Sequence, residues 1–350
     1  MTQRRPTSFD IAALAGVSQP TVSRALSGNP AVSAETRARV LAAAEQLSYK
    51  VDKNASGLRR QHSRTLALLF FEDPTPDETL INPFYLSMLG AMVRTCAARG
   101  YDLLISFQQL SDDWHVDYED SRKADGIILL GYGNYLQYRP RLEQLVRRGT
   151  HFVCWGNPRA AEFGAIVGSD NESGGHEATR HLLGLGRRRI AFVGTATEAY
   201  PEFLDRYRGY VRAHDEAALS VLDGLRTDAG PSEAEGRAAV AALERRNVEY
   251  DAIFAASDLA GIGAMHALQE RGRRVPEDVA IVGFDDLAAA GYATPPLSTV
   301  AQDSRAAGTA LVEALLERIE EGGGPPQPPP EPRTARLLPV TLKVRGSSLS

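Results

Sequence analysis

The sequence predicts a small all-α head followed by a doubly wound α/β body, and three observations carry that expectation. Residues 1–64 hold ten Lys/Arg against four Asp/Glu and the rest hold 29 against 40, so a head of +6 precedes a body of −11. The stretch AALAGVSQPTVSRAL, 12–26, sets a polar cluster between two runs of small and apolar residues, as two short helices around a tight turn would. From residue 65 onward, short apolar runs alternate with amphipathic stretches, the pattern of α/β layers.

A chain of 350 residues is long enough for two or three domains, each with its own core. Cys96 and Cys154 are the only cysteines, which is no disulfide framework and suggests a reducing compartment, so a cytoplasmic location is expected. No apolar signal-like region follows MTQRRPTSFD, and TLALLFF at 65–71 is too short to span a bilayer, so neither export nor membrane insertion is expected.

In the head, Phe9, Ile11, Ala12, Leu14 and Ala15 have helical spacing, with Ser8 as the expected N-cap and Gly16 as the break. Ser18 can cap a second helix whose first turn holds Gln19 and Pro20; proline is tolerated there because its missing N–H would be unpaired anyway. Val22, Ala25 and Leu26 then face inward, leaving Gln19, Pro20, Thr21, Ser23 and Arg24 on the outer surface. Such a helix can enter a major groove, with Gln19 and Arg24 reaching base edges and Thr21 and Ser23 holding phosphates. A third helix is expected in VSAETRARVLAAAEQLSYK, with Val40, Leu41, Ala44 and Leu47 as its apolar stripe.

In the body, the strand candidates are TLALLFF, YDLLISF, GIILL, HFVCWG, AIVGSD, RIAFVG, DAIFAAS and DVAIVGFDD, with helices at 84–99, 172–183, 202–216, 233–245 and 258–271 among the intervening segments. That is enough for two sheets, and open α/β sheets bind ligands at the carboxyl ends of their strands. The loops there carry Asp285 and Asp286 after VGF and Ser257 and Asp258 after FAA, and Arg206 lies in LDRYRGY. Carboxylates, a guanidinium fork and flat apolar faces suit a sugar. Phe84 and Tyr85 in INPFYLSML are candidates for the pocket floor, and Tyr132 is a further candidate. Trp155 either offers its face to a pyranose ring or packs on a helix. Asp258 either contacts ligand or caps a helix, Asp286 favours a cap or surface role, and Asp170 and Asn171 favour shaping a helix start.

The stretch DIAALAGVSQPTVSRALSGNPAVSAETRARVLAAAEQLSYK resembles the DNA-binding head of the LacI/GalR transcription-regulator family. The likeness continues in DAIFAASDLAGIGAMHALQERGRRVPEDVAIVGFDD and PPLSTVAQDSRAAG, which resemble that family's effector domain, and so covers almost the whole chain. It implies a helix-turn-helix head at 1–50, a hinge helix or linker at 51–64, and a two-lobed, periplasmic-binding-protein-like effector domain at 65–345. The N-lobe would take about 65–168 and 302–322, and the C-lobe about 169–301 and 333–345, with three crossovers between them.

By the same resemblance, the expected DNA contacts are Thr7, Ser18, Gln19, Pro20, Thr21, Ser23, Arg24 and Asn29 in the head. In the hinge, Leu58 would wedge into the minor groove, flanked by Arg59 and Arg60. Gly57 and Asp52 depart from the family's pattern; glycine costs about 1 kcal/mol against alanine in a helix and makes the hinge harder to order. Arg206 and Asp285 fall on the family's effector-contacting arginine and aspartate, and Asp258 beside the pocket. The implied function is that of a bacterial, nucleoid-associated repressor of a carbohydrate-utilisation operon, released from a pseudopalindromic operator by a sugar. A regulator answering a non-sugar metabolite such as a purine, or a two-lobed sugar-binding protein, is the alternative.

No complete dinucleotide fingerprint follows the glycines of GYGNYL and GIGAM, and neither GxxxxGK[ST] nor HExxH occurs. His62, His115 and His176 lack metal-ligand spacing, so no cofactor, metal or catalytic activity is expected. GGGPPQPPPEP at 322–332 reads as an extended spacer before a strand LLPVTLKVR. With no heptad extension after it, a homodimer is expected, its two heads reading half-sites about one helical turn apart.

Overall fold

The computed structural model describes residues 6–26, 28–49, 62–71, 81–110, 112–131, 133–157, 164–321 and 336–349. Asp52, Gly57, Leu58, Arg59, Arg60, Tyr132 and the spacer 322–332 lie outside the described residues. Two compact units divide the chain, Met1–Ser63 and Arg64–Ser350.

The first unit contains α1 (Ser8–Ala15), α2 (Gln19–Leu26) and α3 (Ala34–Gln46). Thr7, rather than Ser8, is the N-cap of α1: its backbone N–H and its hydroxyl both donate to the Asp10 carboxylate at 2.7 Å. Gly16 ends α1 in the left-handed region, φ 64°, which turns the chain tightly into α2. Ile11, Ala15, Val22, Ala25, Val40 and Ala43 belong to one small core. Leu41 departs from expectation: it is 51% exposed, and Ala43 takes the inward place beside Val40 and Ala44. Phe9 and Leu14 are also exposed, because an eight-residue helix presents only a narrow stripe to so small a core.

The second unit has two six-stranded sheets. In the first, strands β1 (Thr65–Phe70), β2 (Asp102–Phe107), β3 (Gly126–Leu130), β4 (Phe152–Trp155), β5 (Ala165–Ser169) and β11 (Arg336–Leu338) run in the order β11-β5-β4-β3-β1-β2, all parallel. The second orders β6 (Ile190–Val193), β7 (Arg226–Thr227), β8 (Ala252–Ala255), β9 (Ala280–Asp285), β10 (Ser298–Gln302) and β12 (Val340–Lys343) as β12-β10-β9-β8-β6-β7, parallel except for β12. Central strands such as GIILL and AIVGFD are buried at every residue, as expected of parallel strands covered on both faces. The covering helices are α4 (Pro83–Ala98), α5 (Tyr135–Arg148), α6 (Asn171–Gly184), α7 (Pro201–Glu216), α8 (Glu233–Arg245), α9 (Asp258–Glu270), α10 (Ala288–Tyr292) and α11 (Ser304–Glu320).

The chain passes between the sheets three times, after β5, after β10 and between β11 and β12. The last passage corrects the expectation of one strand in LLPVTLKVR. Pro339 has no N–H for a ladder, and the strand splits around it: 336–338 pairs with β5 in the N-lobe rather than joining the C-lobe, and Val340–Lys343 pairs with β10.

Candidate effector site and nucleic-acid surface

In each sheet the strand order reverses direction next to one strand, at β1/β3 in the first and β6/β8 in the second. Such switch points open a crevice beyond the carboxyl ends of the strands. The residues that follow these four strands meet there: Phe71 after β1, Gly133 and Asn134 after β3, Thr195 after β6 and Ser257 after β8 all line one cavity of about 560 Å³. The two walls differ. The N-lobe wall supplies amides, Asn82, Asn134 and Gln137, and aromatic faces including Phe84, Tyr85 and Trp155. The C-lobe wall supplies the ionisable groups Glu202, Arg206, Glu235 and Asp285. Across the cleft, the Tyr135 N–H donates to the Ala199 carbonyl at 2.8 Å, and the Asn157 amide donates to the Pro201 carbonyl and the Asp205 carboxylate.

Arg206 is held on all sides. Its Nε donates to Asn171 Oδ1 at 2.8 Å and its Nη1 to the Ala256 carbonyl, and the guanidinium lies 3.7 Å from the Phe284 ring centroid. Helix packing sets its height: a β-carbon on Gly175 of α6 would come within 2.1 Å of the Arg206 carbonyl oxygen, so only glycine lets α7 approach this closely. Burial lowers the pKa of Arg206, opposed by the Asp285 charge. Asp285 lies 3.7 Å from Arg206 Nη1 and accepts from Gln302 Nε2 at 2.7 Å. Burial pushes its carboxyl up to about 6, against the pull of Arg206 and Gln302. Asp285 and Asp286 both have positive φ, 119° and 57°, a strained pair at the end of β9.

Most of the expected effector residues converge here: Phe84, Tyr85, Trp155, Arg206 and Asp285 all line the cavity. Trp155 packs on Phe84 of α4 with ring centroids 5.7 Å apart, the helix contact weighed for it, and it also lines the cavity. Asp258 is the correction. It is fully buried behind the wall, where Oδ1 accepts from the Thr299 hydroxyl and Oδ2 from the Leu287 N–H, so its oxygens organise the turn after β9. Burial and the nearby Asp285 charge hold its pKa well above the carboxylate range. Asp286 faces away, paired with Lys343 and Arg345. Asn171 starts α6 and also orients Arg206.

Sequence reasoning did not single out Asn82, Asn134, Gln137, Tyr200, Glu202, Phe203 or Glu235, which the N-caps and first turns of α4, α5, α7 and α8 bring to the cleft. Their available signal was position: Asn134 and Glu202 each lie at the start of a helix that follows a strand end.

The expected head contacts gather around α2. Pro20 and Arg24 are exposed there, and Thr21 and Ser23 are half-buried. The Ser18 carbonyl accepts from the Val22 N–H, which places Ser18 at the helix start, and its hydroxyl lies 2.9 Å from that of Thr21. Gln19 donates to the Ser8 hydroxyl at 3.2 Å, which ties α2 to α1. Asn29, in the following loop, accepts from the Ala31 N–H through its side chain and from Arg37 through its carbonyl. Thr7 is committed to its cap.

Among the described residues no group of His, Cys, Asp and Glu could hold a metal ion, and no helix is long and apolar enough to cross a membrane. Both cysteines are buried and free, and burial raises the Cys96 thiol to about 11.

Comparison with known proteins finds a family match within each of the two units. Residues 9–52 match the model of bacterial regulatory proteins of the lacI family, and residues 179–348 match a periplasmic binding protein-like domain. The HTH-type transcriptional regulator CelR of Thermobifida fusca is 32% identical over 91% of this chain and 93% of its own. The HTH-type transcriptional repressor PurR of Aliivibrio fischeri is 30% identical over 89% and 91%. A solved complex of the transcriptional regulator CelR with cellobiose superposes with a TM-score of 0.70 at 30% identity, covering 98% of this chain and 100% of that one.

Proposed function

The chain belongs to the LacI family of bacterial regulatory proteins, and from that premise we propose a repressor that binds a pseudopalindromic operator as a homodimer and releases it when a neutral sugar enters the cleft. The observation that carries the sugar assignment is the cavity itself, where amides and aromatic faces on one wall oppose the Arg206–Asp285 pair on the other. Amides and carboxylates satisfy hydroxyls, and aromatic faces cover a pyranose ring. The CelR–cellobiose complex supports the same class.

Residues 1–50 serve as the DNA-reading head, 51–64 as the hinge, and the two lobes as effector and dimerisation domain. In α2, Gln19 and Arg24 read base edges while Ser18, Thr21 and Ser23 hold phosphates; Pro20 leads the helix, and Thr7 and Asn29 flank it. Leu58 and Arg59 provide the hinge's minor-groove and phosphate contacts. A +6 head suits the polyanion and a −11 body is repelled by it, which confines DNA contact to the head. Dimerisation draws support from apolar side chains left on one lobe's surface: Leu86 and Val93 on α4, and Ile105 on the edge strand β2. Coupling between sugar and operator in such a system is about 1–3 kcal/mol, a 5- to 150-fold change in affinity. A cytoplasmic location follows from the DNA partner.

A thermal-shift screen of neutral mono- and disaccharides, phosphorylated sugars and purines tests the ligand class. A concentration-dependent rise in melting temperature with a neutral sugar is expected. A rise with purines alone would overturn the sugar assignment and favour a purine-responsive regulator.

A further inference from the structure

Gln302 is the last residue of β10, and the next residue caps a helix of the other lobe. Asp303 accepts from the Ala306 N–H through its side chain at 2.9 Å and from the Ala307 N–H through its carbonyl at 2.8 Å, so the N-cap of α11 is the residue next to Gln302. That helix packs closely on α4, because a β-carbon on Gly308 would lie 2.6 Å from the Met88 carbonyl oxygen. On the other side, Gln302 is buried, 6% exposed, and donates to Asp285 Oδ1 at 2.7 Å. Asp285 lines the cavity and stands in a strained turn. The turn is anchored to the crossovers twice over: Gln302 belongs to the second, and Lys343 and Arg345, which grip Asp286, follow the third.

We propose that Gln302 is the positioning residue through which the occupancy of Asp285 reaches the second crossover and the start of α11. This rests on the reading of Asp285 as an effector contact. A sugar hydroxyl that bridges Arg206 and Asp285 meets Oδ1, the oxygen that Arg206 Nη1 faces at 3.7 Å and that Gln302 already uses at 2.7 Å, so the carboxylate rotates or shares it. Either change moves the amide that ends β10, and with it the Asp303 cap. The charged groups facing Asp285 are Arg206 and Glu202 on α7, Asp258 on α9 and neighbouring Asp286 with its two cations. The hydrogen bond from Gln302 ties Asp285 directly to the end of β10 and so to the crossover.

The test uses the full-length protein and reads hydrogen exchange at the Ala306 and Ala307 amides, corrected for intrinsic rates. Without ligand, Gln302→Leu should speed exchange there about tenfold while the amides in the centre of β9 keep their wild-type rates. Gln302→Glu gives the sharper reading. At about pH 8 its carboxylate repels Asp285 and exchange rises; at about pH 5 a shared proton restores the bond and exchange falls back toward wild type. Burial alone makes a glutamate at this position pH-sensitive, so the comparison is repeated with Asp285→Asn added. The pH response should shrink in that double variant; an undiminished response, or wild-type rates in both single variants, overturns the proposal. Cellobiose is the ligand probe. It should alter exchange at these amides in the wild type and bind Gln302→Leu without altering them; an unchanged response in Gln302→Leu also overturns the proposal. Failure of cellobiose to bind the wild type counts against that sugar as effector, while the ligand-free comparison still decides the role of Gln302.

Discussion

Arg206 and Asp285 stand 3.7 Å apart, close enough to feel each other's charge and too far for a direct hydrogen bond. Each makes its hydrogen bonds elsewhere, Arg206 to Asn171 and the Ala256 carbonyl, Asp285 to Gln302. A hydroxyl oxygen between them can accept from the guanidinium and donate to the carboxylate, which is how two fixed charges select a neutral, hydroxylated ligand.

Removing one partner of this pair should be worse than removing both. Arg206→Ala leaves a buried carboxylate uncompensated and should lower stability by about 3–5 kcal/mol, whereas Arg206→Met combined with Asp285→Ala should recover a large part of that loss. Denaturant titration of the three proteins checks the order. Asp285→Ala alone should abolish the sugar response and retain operator binding, which a gel-shift assay with and without sugar reads directly.

Sugar affinity should depend on pH with one sign. The Asp285 carboxyl is raised to about 6 by burial, and its ionised form is the one that accepts hydroxyl protons. Affinity should therefore be constant above that value and fall about tenfold per pH unit below it. Folding stability runs the other way: because the folded state holds this proton more tightly than the unfolded chain, the contribution of Asp285 is present below the ordinary carboxylate range and is lost as pH rises toward about 6. Calorimetry across that window, compared with Asp285→Asn, which should be flat in both respects, checks the sign.

Asp258 neither lines the cavity nor caps a helix, since Ser257 is the N-cap of α9. Its two oxygens hold the Thr299 hydroxyl and the Leu287 N–H, so Asp258→Leu strands two buried donors and should cost about 2–4 kcal/mol. Asp258→Asn keeps one acceptor and should cost less. Equal losses in the two variants would assign the cost to packing.

The same contrast explains what was legible in the sequence. The apolar runs of β1, β3 and β9 declare themselves because both faces of a parallel strand are covered, and Arg206 and Asp285 stand in stretches that resemble a known family. Asn82 and Asn134 are N-caps outside any apolar period and Gln137 is an exposed residue in the first turn of α5, so none carries a core signal, and only the sheet order brings the three to one cleft. Leu41 misled for a related reason: helical spacing places it beside Val40, but three short helices cannot cover so wide a stripe.

Gly175→Ala tests whether helix packing sets the height of Arg206. The added methyl must push α7 outward, so stability should fall by about 1–3 kcal/mol and sugar affinity should fall with it. A loss of stability with unchanged affinity would separate the guanidinium from the helix contact.

In the head, Arg24 is exposed on α2 and is, with Gln19, one of the two residues proposed to read base edges. Arg24→Ala should reduce discrimination between operator and mismatched duplex by about 1–3 kcal/mol while sugar binding by the second unit is unchanged. Uniform weakening on all sequences would make Arg24 a phosphate contact instead.

The most direct test is fluorescence anisotropy of the full-length protein with labelled duplexes covering the DNA upstream of its own gene, titrated with salt and with the sugar that raises its melting temperature. The proposed repressor should occupy one pseudopalindromic segment with affinity that falls steeply as salt rises, and the sugar should weaken that binding at least about fivefold. Salt-insensitive binding, or operator affinity that the sugar leaves unchanged, would contradict it.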